Sequence, residues 1–226
     1  MNCDVVWIVI PAFNESEVIE RVATTAIRYY PNVVVVDDCS TDETSSVARR
    51  SGAHVVRHPV NLGQGAALQT GISYALQHGA ARIATCDGDG QHDIRDLRAM
   101  LELQERTGVD CVLGSRFLGK AVDMPVQRRL LLKAAVLYTR LTSRLAVTDA
   151  HNGFRLFSRA AASRIKIRQD RMAHASELME QIRRHRLSWA EAPVTIRYTD
   201  YSMAKGQRAR GAFRILLDLF IGRLSQ

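Results

Sequence analysis

The chain has 226 residues, 46% of them hydrophobic and 24% charged, and a formal net charge of +8. This length and composition describe a globular domain able to bury its own core, and exclude disordered, collagen-like and disulfide-framework classes. The four cysteines (Cys3, Cys39, Cys86, Cys111) lie far apart without a CxxC or a zinc-spaced histidine pair, so they read as reduced thiols of a cytoplasmic protein.

In chain order, residues 4–10 form an apolar run closed by Pro11, and residues 15–29 place apolar side chains at helical spacing. Four consecutive valines, 33–36, predict a strand buried on both faces. Helices are predicted over 41–50, 65–78 and 94–107, and strands over 54–57, 82–86 and 111–114. Short apolar strands alternating with amphipathic helices imply βαβ units and a parallel sheet covered on both faces. The second half is less regular. It shows a long helical pattern over 126–147, a strand at 154–157, a helix at 174–186 and a strand at 194–198 after Pro193. A polar loop at 199–210 and an amphipathic helix at 212–224 follow. The predicted organisation is one α/β domain over residues 1–200 and a C-terminal extension over 201–226.

Ligands of an open parallel sheet bind at the carboxyl ends of its strands. The segments that follow the predicted strands, 11–15, 37–42, 61–65, 87–93 and 114–117, are all polar and imply one continuous crevice. In Asp87-Gly88-Asp89-Gly90-Gln91, alternate residues of an extended segment point the same way. Asp87, Asp89 and Gln91 can therefore converge on a hard divalent cation, Mg²⁺ or Mn²⁺. The alternative is a Gly/Asp turn that closes a strand without a metal. An EF-hand fits poorly, because the glutamate it needs at loop position twelve would fall at Arg98.

Asp37 and Asp38 end a buried strand. Ser40, Thr41 or Asp42 would cap the next helix better, so the acid pair reads as accepting hydrogen bonds from a ribose or base. Asn61-Leu62-Gly63-Gln64-Gly65 opens a helix but lacks the third glycine of GxGxxG and any Walker lysine. Its backbone amides can still help hold a phosphate or sugar.

These segments, taken in order with Gly114-Ser115-Arg116-Phe117 and Asp149-Ala150-His151-Asn152-Gly153-Phe154-Arg155, resemble the family-two glycosyltransferases of the GT-A fold. Within that family the chain is most similar to dolichol- or polyprenyl-phosphate mannose and glucose synthases and their bacterial relatives. The resemblance implies a Rossmann-like, mostly parallel sheet. It also implies inverting transfer of a sugar from a nucleotide-diphosphate donor, with Mg²⁺ or Mn²⁺ as cofactor, to polyprenyl phosphate or a glycan hydroxyl. Pro11, Phe13, Glu15, Asp37 and Asp38 would line the nucleotide pocket. Asp87, Asp89 and Gln91 would form a DxD-type metal and diphosphate site. Arg116 would lie near the donor phosphates or the acceptor, Asp149 and Arg155 on the acceptor side, and Arg197 and Lys205 against phosphate. For a hydroxyl acceptor Asp149 is the candidate base, its alternative roles being a cap or a partner for Arg155; a lipid phosphate needs no base. Two departures from the family stand out. Gln64 occupies a position that is lysine in many relatives, and the loop at 201–207 is not the G-x-S-K form of the phosphate-mannose synthases.

The charge is divided along the chain. Residues 1–113 carry 9 basic and 15 acidic side chains, a net of −6, and residues 114–226 carry 22 and 8, a net of +14. At 100° per residue, Arg129, Lys133, Arg140 and Arg144 fall within about 60° of one another, beside Leu130, Ala134, Leu137, Tyr138, Leu141 and Leu145. This predicts peripheral contact with the cytoplasmic face of a membrane. No spanning helix is expected, since no apolar run nears the roughly 18 residues one needs. The alternatives are that this apolar face packs on the chain's own core, or that the last helix mediates a homodimer. A nucleic-acid partner is not expected, because the basic stretch has little aromatic interleaving and no RRM, KH or HTH signature. A catalytically inactive sugar-nucleotide-binding protein is a further alternative, which the presence of both Asp87 and Asp89 argues against. His92, His151 and His174 read as surface or structural residues.

Overall fold

A computed structural model describes residues 6–143, 145–169, 174–199 and 201. Most of the predicted polar loop, the last amphipathic helix and Lys205 lie outside the described residues. Seven strands form one sheet: β1 (Val6–Ala12), β2 (Asn32–Asp37), β3 (His54–Arg57), β4 (Arg82–Thr85), β5 (Cys111–Val122), β6 (Arg155–Ser158) and β7 (Trp189–Arg197). Their order is β3-β2-β1-β4-β6-β5-β7. The helices are α1 (Ile19–Tyr29), α2 (Thr44–Arg50), α3 (Gln64–Gln77), α4 (Leu97–Thr107), α5 (Val126–Ser143), α6 (Arg159–Arg164) and α7 (His174–Arg184).

Alternate residues of the central strands feed two cores, one on each face of the sheet. Ile8, Ile10, Val33 and Val35 pack with apolar residues of α1, α2 and α4. Trp7, Val9, Val34 and Val36 pack with those of α3, α6 and α7. The run of four valines has no polar face because neither side of β2 meets water. Each such side chain contributes about 1.5–3 kcal/mol by leaving water.

Every neighbouring pair runs parallel except those made by β6, which is antiparallel to both β4 and β5. The reversal brings the first residue of β6 to the edge where β4 ends and β5 approaches its bulge. Arg155 there lies opposite Thr85 on one side and Leu113 on the other.

Two strands are longer than predicted. β5 runs on to Val122, and β7 begins at Trp189 and passes through Pro193. β7 pairs only with β5, so it is an edge strand, where proline is tolerated. The ladder between them is broken, because its register shifts between Ser115 and Lys120. Residues 116–119 form the bulge, and Gly119 lets the strand return. A Cβ at Gly119 would stand 2.3 Å from the Val194 carbonyl oxygen.

Helix α5 turns Ala135, Val136 and Thr139 inward, whereas Leu130, Leu137 and Leu141 are 64%, 60% and 73% exposed. These three leucines of the predicted apolar stripe therefore do not pack on the chain's own described core; Tyr138 and Leu145 are half-buried. No helix among the described residues is long and apolar enough to cross a membrane.

Candidate active site

A cavity of about 360 Å³ opens at the carboxyl edge of the sheet. Pro11, Phe13 and Glu15 reach it from the end of β1 and the loop beyond, Asp38 from the end of β2, and Asp87, Asp89 and Gln91 from the loop after β4. Arg116 enters from the β5 bulge and Arg155 from the start of β6.

Asp87 is held from two sides. Its Oδ1 accepts from Gln64 Nε2 at 3.0 Å, and its Oδ2 lies 3.0 Å from His92 Nε2. Gly153 forms the wall behind it. A Cβ there would stand 2.3 Å from Asp87 Oδ2, a close approach that only glycine permits. Burial pushes the Asp87 pKa up, but the hydrogen bond from His92 and the charges of His92, Arg155 and His174 outweigh it, leaving the carboxyl below its usual range. Asp89 goes the other way: burial, then the charge of Asp87, pushes it up to about 6. The charge of Asp87 thus already resists ionisation of Asp89, an arrangement that suits a cation. Among the described residues no group of three or more His, Cys, Asp or Glu side chains is placed to hold a metal ion. Asp87, Asp89 and the Gln91 amide fit instead an ion that takes its remaining ligands from substrate phosphates, as Mg²⁺ commonly does.

Asp38 is buried, lines the cavity and ties its loop together. Its Oδ1 and Oδ2 accept from Leu62 N at 2.8 Å and Gly63 N at 2.6 Å. His58 Nδ1 lies 2.8 Å from the same Oδ1, and His58 Nε2 lies 2.9 Å from Thr70 Oγ1. Asp37, expected beside it at the nucleotide, is not among the cavity-lining residues. It accepts from Ser40 N at 2.9 Å and from Ser45 Oγ, and pairs with Arg57 at 3.5 Å. One step along an extended backbone reverses the side chain, so only one of the two acids faces the cavity.

Three of the five guanidinium N–H groups of Arg116 donate to the protein. Nε donates to Asp149 Oδ2 at 2.6 Å, Nη1 to Tyr198 OH at 2.7 Å and Nη2 to His151 O at 3.0 Å. Asp149 is buried and does not line the cavity. Its Oδ2 also accepts from Arg116 N at 3.1 Å and Asn152 Nδ2 at 3.3 Å, while its Oδ1 has no hydrogen bond among the described residues. The acid expected as a base therefore anchors Arg116, rather than pairing with Arg155. Arg155 itself is buried and lines the cavity; burial pulls its pKa down to about 10 against the opposing charges of Asp87 and Asp149.

Other lining residues were not expected. His92, His151 and His174, read from the sequence as surface or structural, all face the cavity. Burial and the charge of Arg155 pull His151 down to about 4, so it is neutral at neutral pH. Arg128, in the first turn of α5, lines the cavity with its guanidinium carbon 4.9 Å from the centroid of the Tyr198 ring. The available signal was position, because two of the histidines stand inside the quoted motifs. Arg197, expected at phosphate, is exposed on β7 outside the cavity lining, and its backbone N donates to Gln91 O at 2.9 Å. Beyond β7, Tyr201 OH donates to Glu15 Oε2 at 2.7 Å, bringing the chain back to the first loop.

Residues 7–166 match the Glycosyl transferase family 2 profile, well over half of the chain. The chain belongs to glycosyl transferase family 2. An uncharacterized protein of Methanocaldococcus jannaschii is 36% identical to this family 2 enzyme over 99% of this chain and 94% of its own length. The UDP-N-acetylglucosamine–dolichyl-phosphate N-acetylglucosaminyltransferase of Methanococcus voltae is 27% identical over 98% and 97%. The undecaprenyl-phosphate mannosyltransferase of Micrococcus luteus is 33% identical over 66% and 64%. In three dimensions, the glucosyl-3-phosphoglycerate synthase of Mycobacterium tuberculosis, in complex with Mn²⁺, UDP-glucose and phosphoglyceric acid, superposes with a TM-score of 0.68. At 19% identity over 87% of this chain and 73% of that one, this likeness speaks for the fold alone. The glycosyltransferase thus has the mostly parallel α/β GT-A fold that its motifs implied.

Proposed function

We propose that this glycosyltransferase moves a sugar, with inversion, from a nucleotide-diphosphate donor to a polyprenyl phosphate at the cytoplasmic face of a membrane. The observation that carries the reading is the composition of one cavity, lined both by Asp87 and Asp89 and by Arg116, Arg128 and Arg155. The carboxylates suit a cation and the guanidinium groups suit phosphate.

Pro11, Phe13 and Glu15 flank the nucleoside in this reading, and Asp38 accepts a hydrogen bond from its base or ribose. Asp87, Asp89 and Gln91 hold Mg²⁺ or Mn²⁺, which when bound offsets the negative charge that gathers on the leaving diphosphate. Arg116 and Arg155 hold the acceptor phosphate, and Asp149 positions Arg116. A phosphate nucleophile arrives already anionic and needs no base. That agrees with a site whose Asp149 lies behind Arg116, off the cavity surface. A sugar-hydroxyl acceptor would require a carboxylate beside it as base, and Asp149 is not among the residues that line the cavity. The relatives named for dolichyl and undecaprenyl phosphate support the lipid acceptor.

The test is nucleoside-diphosphate release from UDP- and GDP-sugars, with Mg²⁺ or Mn²⁺, in the presence of polyprenyl phosphate. Release that requires the lipid phosphate, stops with EDTA and returns with excess metal is the expected result. Asp89→Ala should lower kcat by about a hundredfold or more while the thermal midpoint holds. Turnover with a glycan hydroxyl but not with a lipid phosphate would overturn the acceptor, and near-normal turnover of Asp89→Ala would overturn the metal site.

A further inference from the structure

Helix α5 separates two concavities. Arg128 lines the catalytic cavity, whereas Arg129, Lys133 and Arg140, about 100–140° round the helix from it, line a second groove of about 360 Å³. The same division runs through the β5 bulge, where Arg116 faces the cavity and Phe117 the groove. Val136, Leu137 and Thr148 complete the groove, and among the described residues no acidic side chain lines it. The nearby acid Glu191 is committed to Thr148 N at 2.8 Å, Thr148 Oγ1 at 3.0 Å and Asp149 N at 3.3 Å. Arg140 is fixed by donation from Nε to Val147 O at 2.7 Å.

We propose that this groove takes the phosphate headgroup of an anionic lipid, while the leucine ridge beside it enters the same leaflet. Two properties of the same helix select that occupant. Three cations fall within about 40° of one another around α5, a concentration that matches phosphate. Directly beside them Val126, Leu130, Leu137 and Leu141 are exposed, and Leu137 belongs to both surfaces. A soluble phosphate would explain the cations and leave the leucines in water; a bilayer surface accounts for both. A second copy of the chain fits less well, because two-fold pairing through this face would set like charges against like. The inference rests on the membrane-acceptor reading and adds a geometric consequence. A headgroup in the groove brings the catalytic cavity, lined by the neighbouring residues Arg128 and Arg116, to the surface where a polyprenyl phosphate is held.

The experiment is co-sedimentation of the full chain with phosphatidylglycerol-containing or pure phosphatidylcholine vesicles at low and high salt. The wild type should pellet with the anionic vesicles only, and salt should release it. The double variant Arg129→Glu/Lys133→Glu should bind them about tenfold or more weakly. Its affinity for UDP with Mn²⁺, and its turnover with a short water-soluble isoprenyl phosphate, should match the wild type. Leu137→Asp should weaken anionic-vesicle binding with the same folded spectrum. Equal binding to both vesicle types, wild-type binding by the charge-reversed variant, or self-association abolished by Leu137→Asp without any vesicle binding would each overturn the proposal. Vesicle binding that persists in a protein without nucleotide-sugar turnover would sink the functional reading and leave this one standing.

Discussion

At the scale of single residues, the pair Arg116–Asp149 changes what a substitution should do. From sequence, Arg116 reads as a residue near the donor phosphates or the acceptor. Both partners are in fact buried, so Arg116→Ala leaves an uncompensated carboxylate and should cost about 3–5 kcal/mol. Urea denaturation will show that loss, together with a fall in turnover. An Arg116→Met/Asp149→Leu double variant should recover most of the stability and none of the turnover, which separates the structural role from the catalytic one. His58 offers a second contrast. Removing its hydrogen bond to the Asp38 carboxylate should weaken donor binding about tenfold or more, while kcat at saturating donor changes little. Isothermal titration with UDP- and GDP-sugars measures the first effect and steady-state kinetics the second. Asp87, Asp89 and Gln91 were legible from alternate spacing after a strand. The choice between Asp37 and Asp38 was not, because four valines buried on both faces give no polar phase from which to read a direction. The bond from Arg116 to Asp149 joins residues 33 apart across a bulge, and no local pattern encodes it.

At the scale of elements, the β5 bulge positions the site. It turns Arg116 into the cavity, and it can close only because Gly119 carries no side chain. Gly119→Ala drives a Cβ into the Val194 backbone. That variant should lose both thermal stability and kcat, although residue 119 does not line the cavity. The central strands give the opposite result. Ile8 is wholly buried in β1, so Ile8→Ala should lower the unfolding free energy by about 2–5 kcal/mol through cavity formation, with kcat per folded molecule unchanged. The sequence periodicity located nearly every element, since apolar runs of four to seven residues and helical spacing are local signals. It stopped β5 short because Ser115 and Arg116 interrupt the apolar run after Gly114, and it started β7 late because Pro193 reads as a boundary. Only the tertiary fact that β7 is an edge strand makes that proline tolerable.

At the scale of the molecule, charge and fold divide differently. The net charge changes sign near residue 113, yet the sheet does not split there, because β6 inserts between β4 and β5. A fragment ending at residue 113 would carry β5 with no partner strand on either side. It should aggregate or remain unfolded, whereas the described domain should melt in one cooperative step; calorimetry of the full chain and light scattering of the fragment check both outcomes. The basic half contributes most of β5, β6 between β4 and β5, β7 at the sheet edge, helices α6 and α7, and the exposed ridge of α5; its Arg116, Arg128 and Arg155 line the cavity where phosphate is proposed to bind.

The insertion of β6 also sets a timetable for the nascent chain. Strands β1 to β4 form a contiguous block of the sheet from the first 85 residues and can pair as soon as they emerge. Strand β5 cannot join them, since its place beside β4 is held for residues 155–158. At roughly 5–20 residues per second, the ribosome needs about 2–10 s to pass from Cys111 to Ser158. Throughout that interval β4 presents an open edge and β5 an apolar segment without a neighbour, the pairing surface through which unfinished chains find one another. Slower elongation over residues 111–158 should therefore lower the soluble yield of this protein more than the same slowing over the first 85.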